Sequence, residues 1–208
     1  SLRHHGSALL YDMNVRVEPG AGRTIERTSG SGKSTVLNWL VGDLDPAFEA
    51  SGALWLNGRR CDDLPIEQRR IGILFQDDLL FPHLSVGGNL AMALPKTVQG
   101  AKERRARVEQ TLQAVGLAGL HDRDPATLSG GQRARVSLMR ALMAEPQALL
   151  LDEPFARLDA TLRTQFRQFV FAQIRAMGIP TLLVTHDLQD VPPGGDIHDV
   201  QTWSVQSN

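Results

Sequence analysis

The chain has 208 residues, enough for one large domain or for a domain carrying an inserted subdomain. Its 22 Lys and Arg nearly offset 23 Asp and Glu, so bulk charge selects neither nucleic acid nor an anionic surface as partner. The single cysteine, Cys61, excludes an internal disulfide and suits a reducing compartment, and no apolar run approaches the roughly 18 residues of a membrane helix. No charged stretch followed by an apolar one opens the chain, so no secretory signal is expected.

In chain order, "ALLYDMNVRV" (8–17) alternates apolar and polar residues, predicting a strand closed by the turn pair Pro19-Gly20. "STVLNWLVGDL" (34–44) is apolar at helical spacing. "GALWLNGRRC" (52–61) predicts a strand with a turn at Asn57-Gly58, and "RRIGILFQ" (69–76) a short apolar strand. From about 86 to 145 the pattern is mostly helical, with a charged run at 102–117. "QALLLDEP" (147–154) predicts an uninterrupted apolar strand ending on two acids. "QFRQFVFAQIRAMG" (165–178) predicts an amphipathic helix stopped by glycine, and "IPTLLVTHD" (179–187) a further apolar strand. Continuous apolar strands separated by helices predict an α/β fold with a parallel sheet covered on both faces.

Three stretches carry chemistry. Gly30-Ser31-Gly32-Lys33-Ser34-Thr35 matches the end of a phosphate-binding loop, in which glycine, four residues and then Gly-Lys-Ser/Thr precede a helix. Backbone N–H groups over Ser29, Gly30, Ser31, Gly32 and Thr35 would face a phosphate, helped by the positive end of the helix. Lys33 would reach the terminal phosphates and the Ser34 hydroxyl would hold Mg²⁺. The position five before Gly32, however, is Arg27 and not glycine. In the second stretch, Asp152 stands at the C-terminal end of a buried strand, where open α/β sheets place ligands, and would hold Mg²⁺ through water. Glu153 would orient and deprotonate an attacking water. The third stretch, Leu128-Ser129-Gly130-Gly131-Gln132-Arg133 before a helix, is a second anion-binding helix N-terminus.

With that third stretch the chain resembles the ATP-binding subunits of ABC transporters, whose signature is Leu-Ser-Gly-Gly-Gln. The resemblance spans essentially the whole chain and is greatest to short importer ATPases of the thiamine and related small-solute type. It implies a P-loop NTPase core with a mostly parallel sheet, an antiparallel β-subdomain and an inserted helical signature subdomain. As one ABC ATPase domain over 1–208, the core with the β-subdomain would take 1–76 and 147–208, and the helical subdomain about 77–146. The resemblance assigns Gln76, ending "IGILFQ", to Mg²⁺ and the attacking water. It assigns 77–86 to the surface that receives a membrane partner, the alternative being that its apolar residues simply pack. It places Asp159 of "ARLD" near a dimer interface and His186 of "LLVTHD" at the γ-phosphate. Ser129, Gly130, Gly131 and Gln132 would face ATP bound by the opposite subunit of a head-to-tail dimer or pseudo-dimer. The implied cofactors are ATP and Mg²⁺. The implied partners are a second ATPase subunit, an integral membrane permease and, indirectly, a solute-binding protein, with no nucleic acid. The implied place is peripheral, on the cytoplasmic face of the inner membrane.

The chain departs from the family pattern at 21–27. The strand before the phosphate loop should be apolar on both faces, yet here it reads Ala-Gly-Arg-Thr-Ile-Glu, with Arg23 and Glu26 at or near core positions and Arg27 at the loop's first glycine. An unpaired buried charge costs several kcal/mol. The spacing from Pro19-Gly20 to Lys33 is kept, so a block replaced at constant length reads as a locally compensated reading-frame change, and the loop as impaired where it leaves the strand. The family's first strand is expected to be missing before Ser1, and its adenine-stacking aromatic is unassigned among His4, His5 and Tyr11. Two alternatives to a transport ATPase stand: a nucleotide-binding pseudo-subunit, and a soluble ABC-type ATPase.

Overall fold

The structure is a computed structural model; it describes residues 1–4, 7–10, 14–19, 22–26, 33–192 and 196–199. An antiparallel layer comes first. β1 (Leu2–His4) pairs with both β2 (Ser7–Leu10) and β4 (Phe48–Ala50). Between β2 and β4 the chain forms β3 (Gly22–Glu26) and α1 (Lys33–Val41). A hairpin follows, β5 (Trp55–Leu56) and β6 (Arg59–Arg60). Its turn residues Asn57 and Gly58 take φ of 51° and 76°, the left-handed pair that a two-residue hairpin requires.

After the short α2 (Ile66–Arg69) comes β7 (Ile71–Leu74), and then three helices: α3 (Val86–Ala93), α4 (Ala101–Ala114) and α5 (Gly130–Met143). The chain closes with β8 (Ala148–Asp152), α6 (Ala160–Met177), β9 (Thr181–Thr185) and β10 (Asp196–Asp199). Among the described residues five strands form one parallel sheet in the order β10-β3-β9-β8-β7.

The apolar runs are read by both faces of that sheet. Leu149 and Leu151 of β8 and Leu183 of β9 point into a core with Leu138 of α5, Phe166 and Ile174 of α6, and Phe155 from the segment between β8 and α6. Leu150, Leu182 and Val184 point the other way, onto Val36, Leu37 and Leu40 of α1 and Leu2 of the antiparallel layer. A third core joins α3, α4 and α5 through Val86, Leu90, Val108, Leu112 and Val136. No helix among the described residues is long and apolar enough to cross a membrane.

Several elements differ from expectation. The strand expected over 8–17 stops at Leu10 in the described residues, and 14–17 lie outside any strand. Val15 and Val17 pack on the core while Arg16 pairs with Glu18 in solvent, so the alternation records one-sided burial and not a ladder. The turn expected at Asn57-Gly58 is found, closing a hairpin of two-residue strands within 52–61, whereas the three-residue β4 was not anticipated. The strand at Leu2–His4 was not anticipated either. β3 is a true central strand, in register with β9 from Gly22↔Thr181 to Glu26↔Thr185. The buried unpaired charge expected there is not found at Arg23, which is half-buried and has an interaction partner. The polar defect of the strand is instead Thr24, fully buried with its Oγ1 lacking a hydrogen-bond partner. The side chain of Glu26 lies outside the described residues.

Candidate active site

The C-terminal ends of the parallel strands bring Gln76, Asp152, Glu153 and His186 to one edge of the sheet, where such folds bind ligands. β3 leads from Glu26 toward the loop and α1, whose first residues are Lys33, Ser34 and half-buried Thr35. Ser29, Gly30, Ser31 and Gly32, with Arg27, lie outside the described residues, as do the side chains of Lys33, Ser34 and His4 and the whole of His5 and Tyr11. β8 ends on half-buried Asp152, and β7, paired with it at Leu74↔Leu151, runs out to exposed Gln76.

Glu153 and His186 come together here. Glu153 has a left-handed φ of 48°, a conformation that costs a non-glycine residue about 1–3 kcal/mol. It is held by the bond from its N–H to the Val184 carbonyl (2.9 Å) and by Ala156 N–H donating to its own carbonyl (3.2 Å). Strand β9 then delivers His186, whose Nδ1 lies 2.7 Å from Glu153 Oε2. The carboxylate is 14% exposed and the imidazole 62%, so the pair has one member set into the protein and one facing outward.

Ser129 N-caps α5 in a capping box: its Oγ accepts from Gln132 N–H (3.3 Å), and Gln132 Oε1 accepts from Ser129 N–H (2.9 Å). Ser129 is exposed and Gly131 buried. A Cβ at Gly131 would come within 2.5 Å of Leu162 Cδ1, so this glycine lets α5 approach α6 closely. Asp159 is the N-cap of α6, its Oδ1 accepting from Thr161 and Leu162 N–H (3.1 and 3.0 Å).

Sequence reasoning missed the residues that tie these pieces together. Asp77, just after Gln76, pairs with Arg157, and Asp78 lies 3.4 Å from Arg133 Nε on α5. Ser137 Oγ donates to the Asp78 carbonyl (2.8 Å), and Arg140 donates to Leu79 (2.9 Å) while its guanidinium covers the Phe81 ring. Burial raises the Asp78 carboxyl above its ordinary value against the pull of Arg133. These partners are distant in the chain, so no local pattern announces them.

Among the described residues no cluster of three or more His, Cys, Asp or Glu could hold a metal by itself. A cavity of about 460 Å³ lined by Val15, Trp39, Leu150 and Leu182 lies in the apolar layer, and its lining includes none of the residues above.

The family model described as ABC transporter matches residues 10–156. Over all 208 residues the chain is 54% identical to an Escherichia coli (strain K12) protein described as the uncharacterized ABC transporter ATP-binding protein YnjD, of which it covers 95%. A family match over more than half the chain and a full-length relative settle what the strand edge suggested: the chain belongs to the ABC transporter family, as an ATP-binding subunit.

Proposed function

We propose that this subunit hydrolyses ATP to power import of a small solute of the thiamine type, working from the cytoplasmic face of the inner membrane. The observation that carries the reading is the 2.7 Å contact between Glu153 and His186 at the sheet edge that α1 and Asp152 share. In this reading Ser29–Gly32 and Thr35 offer backbone N–H groups to the phosphates, and Lys33 supplies the positive charge at their end. Ser34, Asp152 and Gln76 are the groups that would hold Mg²⁺, which when bound neutralises phosphate charge. Glu153 takes a proton from water as the water oxygen attacks the γ-phosphorus and ADP leaves. His186 holds Glu153 and reports the γ-phosphate.

Ser129, Gly130, Gly131 and Gln132 present their helix end to ATP held by the opposite subunit, a copy or a close relative, with Asp159 at the same interface. The core with its β-subdomain (1–76 and 147–208) holds the nucleotide. The helical part (about 77–146) turns against the core through Gln76. Leu79 and Phe81, exposed on 77–86, meet a permease that a solute-binding protein serves from the other side. No nucleic acid takes part.

The block 21–27 lowers nucleotide affinity without abolishing it. Support comes from Arg27 in the glycine position and from the unsatisfied hydroxyl of Thr24 in the strand behind it. The test is a steady-state ATPase assay of the chain beside a variant with Arg27→Gly and an apolar 21–26 block. Turnover in both, with a lower KM in the variant, is expected. Turnover in the variant alone would make this chain a nucleotide-binding pseudo-subunit, and turnover in neither would overturn the reading.

A further inference from the structure

The residues flanking His186 are held by a closed ring of hydrogen bonds anchored in α6. Asp190, four residues on, is 2% exposed. Its carboxylate receives a two-pronged guanidinium from Arg163: Nε donates to Oδ1 at 2.9 Å, and Nη2 donates to Oδ2. The same Nη2 lies 3.0 Å from Asp187 Oδ2. Thr185, immediately before His186, donates from Oγ1 to Asp190 Oδ2 at 3.1 Å and accepts from Asp187 N–H at 3.1 Å. Arg167 closes the far side, donating to the Gln189 carbonyl, with its Nη1 3.7 Å from Asp190 Oδ1. His186 is therefore the one exposed side chain between two neighbours, Thr185 and Asp187, that are each tied to this ring.

The ring is also joined to the start of α6. Arg163 sits one turn beyond Asp159, its N–H donating to the Asp159 carbonyl at 2.8 Å. Thus Asp159, which caps the helix, and Arg163, which grips the loop after β9, move as one rigid turn. A bidentate Arg–carboxylate pair fixes direction as well as distance, which a lysine would not do.

From this geometry we infer that Asp190 and Arg163 are positioning residues that aim His186 at Glu153 and link its placement to the Asp159 end of α6. The inference rests on the ATPase reading above. Neither residue touches substrate; both act through His186. Removing the carboxylate leaves two guanidinium groups facing a buried amide, and the loop 185–190 loses its anchor. His186 then no longer keeps its place beside Glu153.

The test compares Asp190→Asn, Arg163→Lys, His186→Ala and the double variant Asp190→Asn/His186→Ala in the full chain. Steady-state ATPase should show kcat at least tenfold lower in Asp190→Asn with KM little changed, and the double variant should be no slower than His186→Ala alone. Losses that multiply in the double variant, or a KM change without a kcat change, would overturn the positioning role. Hydrogen exchange over 185–190 gives a readout that needs no turnover. It should quicken at least tenfold in Asp190→Asn and, to a smaller extent, in Arg163→Lys, which keeps the cation but loses the fork and serves if the first variant does not fold. Unchanged exchange in both would overturn the inference whatever the ATPase result. A parent chain without turnover whose exchange nonetheless quickens would count against the hydrolytic reading alone and leave the ring as the anchor of His186.

Discussion

His186 Nδ1 and Glu153 Oε2 stand 2.7 Å apart although 33 residues separate them in the chain. The contact exists because β8 and β9 are neighbours in the sheet and end level, at Asp152↔Val184. It gives the carboxylate a fixed direction, with the imidazole as the exposed partner. His186→Ala should therefore slow hydrolysis by about 10²-fold or more, within the range of a lost acid–base or orienting group, while ATP binding changes little. Parallel ATPase and equilibrium-binding measurements check this; a large loss of binding would move His186 from turnover to recognition.

Ser129 is exposed at the N-terminus of α5, and its capping bonds are all local. If it serves the ATP held by another subunit, Ser129→Arg should abolish hydrolysis and leave binding to the monomer nearly intact. Fluorescent-nucleotide titration of the monomer alongside ATPase assays separates the two. Joint loss would place Ser129 in its own chain's site.

Arg69 is a buried structural cation. Its Nε donates to the Leu64 carbonyl (2.7 Å), Nη2 to the Asp62 carbonyl (2.6 Å), and Nη1 to the Trp39 and Leu40 carbonyls (2.6 and 3.1 Å) in the last turn of α1. Arg69→Ala would leave those acceptors unsatisfied and release the helix that begins at Lys33. A loss of about 3 kcal/mol is expected, from several charge-assisted bonds minus rehydration. Urea unfolding measures it, and a change below about 1 kcal/mol would show that water replaces the guanidinium freely.

The sequence made the strand edge legible where burial is continuous. Ala148–Asp152 and Thr181–Thr185 are apolar on both faces, so strand identity and the place of Asp152 followed from composition alone. The expected start of α6 falls five residues late because its first turn, Ala160 to Arg163, mixes two apolar with two polar residues and shows no clear period; its signal is the Asp159 cap. Strand β4 escaped because three residues show no period. The pairings of Arg163 with Asp190 and of Arg157 with Asp77 carry no local pattern at all: each joins residues brought near only by the sheet order. At β3 the polar composition pointed to a defect, but the ladder with β9 and β10 holds a strand there all the same, since backbone pairing does not depend on which side chain is present.

Glu153→Gln tests the account most directly. The substitution keeps size and hydrogen bonding but removes the negative charge and the basic site. Hydrolysis should fall by about 10²–10⁴-fold, the usual value of a general base. ATP binding should persist, and the ATP-bound dimer should accumulate as a species of doubled mass in light scattering. Asp152→Asn, by contrast, should weaken binding as well if that carboxylate serves Mg²⁺ as proposed. A Glu153→Gln protein that cleaves ATP at the parental rate would contradict the account.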